Sequence, residues 1–159
     1  MARRGTGELP GRGRRVSAEF PWGPASDGVD TPYWDGLIEG ELRMQRCTAC
    51  RAWIWGPQWL CPHCHTFDPG WEPVEPTGTV YSWSRSWYPF ISELPVALPY
   101  VTVLVELPEA GNRRVLGILH ESDADTTIRI GDPVSGLFVR DPGATWPLLR
   151  WTADAAVAR

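Results

Sequence analysis

The sequence predicts a mainly β protein in which an N-terminal helix and a metal-braced ribbon precede a five-stranded barrel of the OB type. Three observations carry this expectation. Two Cys-x-x-Cys pairs, Cys47-Thr48-Ala49-Cys50 and Cys61-Pro62-His63-Cys64, stand ten residues apart. Five runs rich in β-branched and aromatic residues follow, separated by turn residues. Between the third and fourth runs, Ser122 with Asp125 three residues on resembles a capping box and predicts a single helical turn. At 159 residues the chain is one domain, or one domain with a small module, and 43% hydrophobic with 21% charged residues is a globular composition.

Residues 1–29 predict a flexible tail, with Arg3, Arg4, Arg12, Arg14 and Arg15 set among Gly, Pro and Ser. The tail lacks the apolar run of a secretory signal. Arg14-Arg15 is followed by Pro21, Gly23 and Pro24, not by the apolar segment of a twin-arginine export signal. A reducing, cytoplasmic compartment is therefore expected. Residues 30–75 predict a helix and the ribbon. Thr31 is expected to cap the helix with Pro32 at its first position, Trp34, Leu37, Ile38 and Leu42 recur at helical spacing, and Gly40 ends it. A short strand then runs from Leu42 into Cys47. Residues 76–153 predict the barrel, with strands over 79–88, 100–107, 113–120, 133–140 and 147–152, and 154–159 a C-terminal tail. A formal net charge of −4 and an isoelectric point near 5.3 disfavour nucleic acid and anionic membranes as partners. No stretch approaches the roughly 20 apolar residues of a membrane span.

The cysteines carry the strongest chemical signal. A two-residue spacing lets backbone amides point at both thiolates while the sulfurs converge on one ion. Two such knuckles brought together by a hairpin supply the tetrahedral four-sulfur set that Zn2+ accepts. Cys47, Cys50, Cys61 and Cys64 are the chain's four cysteines, and none is left over. Four thiolates leave no open position for a reacting water, so the expected role is structural. The same ligand set would also hold iron in an electron-transfer protein, which would be coloured. His63 and His65 beside the second knuckle are expected as loop residues. Arg51 and His65 follow the knuckles at positions where glycine often takes a left-handed conformation, which implies slight strain.

Catalytic patterns are few. His120-Glu121 with Asp123 offers an acid–base cluster, but at a strand end where solvation is the default. The chain has no Gly-x-Ser-x-Gly, phosphate-cradling Gly-rich loop or paired-His metal motif. With every cysteine assigned to metal, no thiol nucleophile remains. The aromatic content is the second informative feature, because ten Trp is several times ordinary usage. Strict alternation places Tyr81, Trp83, Arg85 and Trp87 on one face, opposite Val80, Ser82, Ser84 and Ser86. That face is either core and rim or a groove that holds a planar, phosphorylated ligand. Trp53, Trp55 and Trp59, between the knuckles, are expected to cover the hairpin or a partner surface. The apolar connection over 88–99, with Phe90, Ile91 and Leu94, is expected to fold over the barrel or form a partner-binding patch.

Taken together, several segments resemble a known family. Trp34-Asp35-Gly36-Leu37-Ile38-Glu39-Gly40-Glu41-Leu42 leads into the two Cys-x-x-Cys pairs; Gly78-Thr79-Val80-Tyr81-Ser82, Pro99-Tyr100 and Ile130-Gly131-Asp132-Pro133-Val134 follow in order. Over residues 33–151 this is similar to the zinc-ribbon/OB-fold proteins that accompany acyl-CoA enzymes. The resemblance implies a rubredoxin-like ribbon ahead of an OB barrel. It also implies a hetero-oligomeric partner: a thiolase-like enzyme, a steroid side-chain retro-aldolase built on a thiolase fold, or an enoyl-CoA hydratase. The chain would then be an accessory subunit that binds and activates its partner, the reacting groups lying mostly on that partner, with acyl-CoA as a possible ligand. Arg85, Arg140 and Arg150 are the candidates for CoA phosphates, since guanidinium pairs with phosphate in bidentate fashion. The competing expectation is a single-stranded nucleic-acid binder that stacks bases on Tyr81, Trp83 and Trp87.

Overall fold

The computed structural model describes residues 22–90 and 96–153. Most of the expected N-terminal tail, the C-terminal tail, Ile91 and Leu94 lie outside the described residues.

Helix α1 (Thr31–Glu39) starts one residue earlier than expected, at the residue foreseen as its cap. Asp30 holds the N-cap position and Thr31 and Pro32 open the helix; the Asp30 carboxylate instead accepts from the Ala25 amide (2.7 Å) and from Trp34 Nε1 (3.0 Å). Gly40 ends the helix in the left-handed region at φ 81°, as its lack of a Cβ permits. Trp34 and Leu37 face inward while Ile38 is half exposed.

Strand β1 (Leu42–Arg46) is the middle of a three-stranded antiparallel sheet, flanked by β2 (Trp53–Ile54) and β3 (Gly70–Val74). The barrel consists of β4 (Thr77–Ser86), β5 (Tyr100–Leu107), β6 (Arg113–Leu119), β7 (Pro133–Val139) and β8 (Leu148–Ala153), closed in the order β4-β5-β6-β8-β7. Its pairings are antiparallel except for β6 with β8, where Ile118 and Leu119 lie opposite Arg150 and Trp151. This closure removes exposed sheet edges and is the arrangement expected from the strand order.

Alternating Val101, Val103, Val105 and Leu107 of β5 point inward beside Val80, Val115, Val134 and Trp151. Trp34 and Leu37 of the helix and Leu42, Met44 and Val74 of the ribbon sheet belong to the same buried cluster. Helix, sheet and barrel thus share one core. Among the described residues, Cys47, Ile54 and Cys61 form a separate buried group at the tip of the ribbon.

Two expectations fail for local reasons. The turn expected after Ser122 is not helical: Asp123 Oδ1 accepts from the amides of Asp125 (3.0 Å) and Thr126 (2.8 Å), and Ser122 Oγ accepts from the Val101 amide (3.0 Å). Short polar side chains here compete with the backbone ladder and win. The Tyr81/Trp83/Arg85 stripe is also divided. The β4–β5 register shifts between Val80 and Ser82, a bulge that turns Trp83 and Arg85 toward the side of their partners Val103 and Val101. Tyr81 stays outside, half exposed, with the Arg114 guanidinium 3.4 Å from its ring centroid.

The barrel's tightest approach is at Gly78, where an added Cβ would lie 2.3 Å from the main-chain oxygen of Glu106. Backbone cannot swing aside as a side chain can. Gly78→Ala is therefore expected to destabilise the fold by about 2–3 kcal/mol, measured by denaturant or thermal unfolding. An unchanged unfolding midpoint would contradict the register assigned to β4.

Candidate metal centre and barrel cleft

The ribbon builds the same turn twice. In the first knuckle the Cys47 amide donates to Ala52 O (2.9 Å) and the Arg51 amide to Cys47 O (3.0 Å). In the second, Cys61 donates to Thr66 O (2.9 Å) and His65 to Cys61 O (2.9 Å). Arg51 and His65 sit at φ 61° and 60°, the left-handed positions foreseen from the sequence. Arg51 pairs with Glu72 (2.6 Å), which also binds Arg46 (2.9 Å) and is thereby kept below the usual carboxylate range, the Arg46 contact first among the causes.

The four sulfurs lie within 4.8 Å of one another, with Cys47 to Cys64 at 3.5 Å and Cys50 to Cys61 at 3.7 Å. A tetrahedron with metal–sulfur bonds of about 2.3 Å has edges of about 3.8 Å, so the set is already spaced to bind one ion. Cys47 and Cys61 are fully buried; Cys50 and Cys64 form the outer edge. The Thr66 hydroxyl and amide lower the Cys64 thiol to about 6. The Cys50 amide lowers Cys47. Against the Ala52 amide, the Cys64 sulfur and burial push Cys50 up to about 12. Amides aimed at sulfur favour the thiolates a metal requires. His63 and His65 are exposed and stand outside the sulfur cluster.

One residue of this site escaped sequence reasoning. Gln45 is buried, accepts from the Gln58 amide (3.0 Å) and donates to Gln58 O (3.1 Å), tying the hairpin between the knuckles to β1. A lone polar residue in a short strand gives no periodic signal.

The three hairpin tryptophans separate. Trp53 packs on the main core, where its carbonyl accepts from Arg113 Nε (2.8 Å) and its ring lies 4.6 Å from the Arg46 guanidinium. Trp55 packs on the same core and meets Tyr33 edge-to-face at 5.6 Å. Trp59 is half exposed, stacked on the exposed Phe67 at 6.2 Å, and remains available to a partner surface. Trp87 and Phe90 are also exposed.

The guanidinium groups singled out for phosphate are already engaged. Arg85 donates to Ala124 O (2.8 Å) and Thr126 O, clamping the loop between β6 and β7. Arg140 donates to Thr145 O (2.6 Å). Arg150 is 5% exposed and pairs with Asp141 (2.8 Å). Arg150 lines a cleft of ≈ 200 Å³ at one end of the barrel, with His120, Glu121, Ser122 and Asp141. Asp123, expected beside His120 and Glu121, is turned into its own loop, where the Thr126 hydroxyl foremost keeps its carboxyl below the usual range.

Residues 34–70 match the family described as the ChsH2 rubredoxin-like zinc ribbon domain, and residues 71–139 the ChsH2 C-terminal OB-fold domain. The chain is similar to one described as Ltp2-ChsH2(DUF35) aldolase, with 30% identity, a TM-score of 0.69, and coverage of 82% of this chain and 98% of that one. A DUF35-family protein of unknown function from Sulfolobus solfataricus shares the fold, with a TM-score of 0.56 at 16% identity over 79% of this chain and 85% of that one. A probable enoyl-CoA hydratase alpha subunit from Thermomonospora curvata is 37% identical over 125 residues, 76% of this chain. The chain spans only 37% of the length of that curated relative. Among the described residues no helix is long and apolar enough to cross a membrane.

Cys61→Ser removes a buried sulfur from the tetrad. Purified wild type is expected to hold one tightly bound metal ion per chain, and the variant to lose it and to be insoluble or unfolded. Structural Zn2+ contributes on the order of 10 kcal/mol to small metal modules. Elemental analysis and circular dichroism check this; a soluble, folded, metal-free variant would contradict it.

Proposed function

The chain belongs to the ChsH2 family of zinc-ribbon/OB-fold proteins, and from that premise we propose that it is a non-catalytic accessory subunit of an acyl-CoA enzyme, binding and activating a thiolase-like aldolase or thiolase. The observation that carries this reading is the likeness to nearly the whole length of a chain described as part of an Ltp2-ChsH2 aldolase. The site chemistry supports it. A four-sulfur centre has no open coordination position, so the metal ligands brace the ribbon and leave bond-making to the partner. The subunit acts by ordering the partner's active-site channel and excluding water from it, which lowers barriers without proton transfer by this chain.

Contact with acyl-CoA is part of the proposal. The half-exposed Tyr81 and Trp83 and the exposed Trp87 offer aromatic surface to it. Arg85, Arg140 and Arg150 are less free for phosphates, because each already holds a carbonyl or carboxylate. The steroid or lipid side chain of the substrate is inferred from the family resemblance, and a cytoplasmic location belongs to the same reading, since four cysteines assigned to metal suit a reducing compartment. The hydratase-named relative favours a second reading, in which the partner is an enoyl-CoA hydratase. Single-stranded nucleic acid has weaker support, since the β4 bulge splits the aromatic stripe and the net charge is −4.

Co-expression with a thiolase-like aldolase, followed by size exclusion and an acyl-CoA cleavage assay, tests the proposal. Co-elution and faster turnover with this chain present are expected. A partner equally soluble and active alone would overturn it. Activation of a hydratase instead would select the second reading.

A further inference from the structure

The cleft at the end of the barrel has a floor of unused hydrogen-bond donors. Arg150, 5% exposed, makes one contact to Asp141, from Nη2 to a single carboxylate oxygen, not the two-pronged pairing a guanidinium can form. Its Nε and Nη1 have no protein partner among the described residues, yet neither is sealed from solvent as a buried unpaired atom. Arg150 itself lines the cleft, so these two nitrogens are the donors it has to offer there. Ser122, a second lining residue, accepts the Val101 amide on Oγ, which leaves its hydroxyl proton to donate elsewhere. His120 stands beside them, its main-chain amide fixed to Trp151 O at 2.7 Å. Val96, Leu119 and Val139 supply apolar wall.

Donors on Arg150 and Ser122, with the His120 imidazole beside them and an apolar wall, select an acceptor on a short hydrocarbon stem. The Asp141 carboxylate neutralises one edge of Arg150 only, and Glu121 is largely in water at the mouth, where its charge is screened. We propose that this cleft binds the anion of a short-chain carboxylic acid, its carboxylate taken by the free edge of Arg150 with Ser122 and His120, its stem against Val96, Leu119 and Val139. At ≈ 200 Å³ the space suits an acid of a few carbons. This site stands apart from the sulfur tetrad and does not depend on the accessory-subunit reading.

The test is titration of the full-length, metal-loaded protein with butanoate, butanamide and butylamine at constant ionic strength, followed by NMR amide shifts. Butanoate is expected to give saturable shifts at Leu119–Ser122 and Arg150, with butanamide at least about tenfold weaker and butylamine silent. Ser122→Ala and His120→Ala should each weaken butanoate several-fold while the protein stays folded. Asp141→Asn, which removes the competing negative charge beside Arg150, should strengthen it; an Asp141 without electrostatic influence on the cleft would produce no such gain. No saturable shift, equal binding of butanamide, or undiminished binding in both Ser122→Ala and His120→Ala would overturn the proposal.

Discussion

The convergence of four thiolates on one point is the constraint on which the ribbon depends. Away from the core shared with the barrel, the buried cluster at the ribbon tip is Cys47, Ile54 and Cys61, a small apolar set for holding two knuckles together. Its hairpin is fixed by the sulfurs at its ends, by the reciprocal Gln45–Gln58 hydrogen bonds, and by Trp53 and Trp55, which pack on the main core. The two knuckles repeat one hydrogen-bond pattern and one left-handed residue, so each sulfur pair is presented in the same way. The geometry is that of a brace with all of its ligands supplied by the protein.

The brace is connected to the barrel through packing. Leu42 and Met44 run from the sheet into the barrel's core, and Trp53 meets the β5–β6 turn, where Gly111 leaves room for its ring at 3.1 Å from the missing Cβ. The parallel β6–β8 contact then brings His120 beside Trp151 and places Arg150 at the barrel's end. Residues thirty apart in the chain therefore share one cleft because the barrel closes there. Two polar features of different kinds result, a sulfur tetrad sealed by its own ligands and a cleft open to small molecules.

Much of this was legible in the sequence where the signal is local. The Cys-x-x-Cys spacing specifies the tetrad, and Arg51 and His65 could be placed in left-handed turns because they follow the knuckles. β5 occupies the expected residues, and the other barrel strands differ from expectation only at their ends, since turn residues bound them. What strict alternation could not convey is the β4 bulge, which costs one residue of register and parts Tyr81 from Trp83 and Arg85. The Ser122–Asp125 pattern misled because Asp123, lying inside it, makes the stronger local hydrogen bonds. Trp53 and Trp55, expected to cover the hairpin or a partner surface, are partly buried against the main core by contacts distant in sequence, and the Arg150–Asp141 cleft is likewise a product of tertiary closure.

X-ray absorption at the metal edge of the purified protein reads the central arrangement directly. The account predicts a single zinc shell of four sulfur scatterers at about 2.3 Å. A shell containing nitrogen or oxygen, or fewer than four sulfurs, would contradict it.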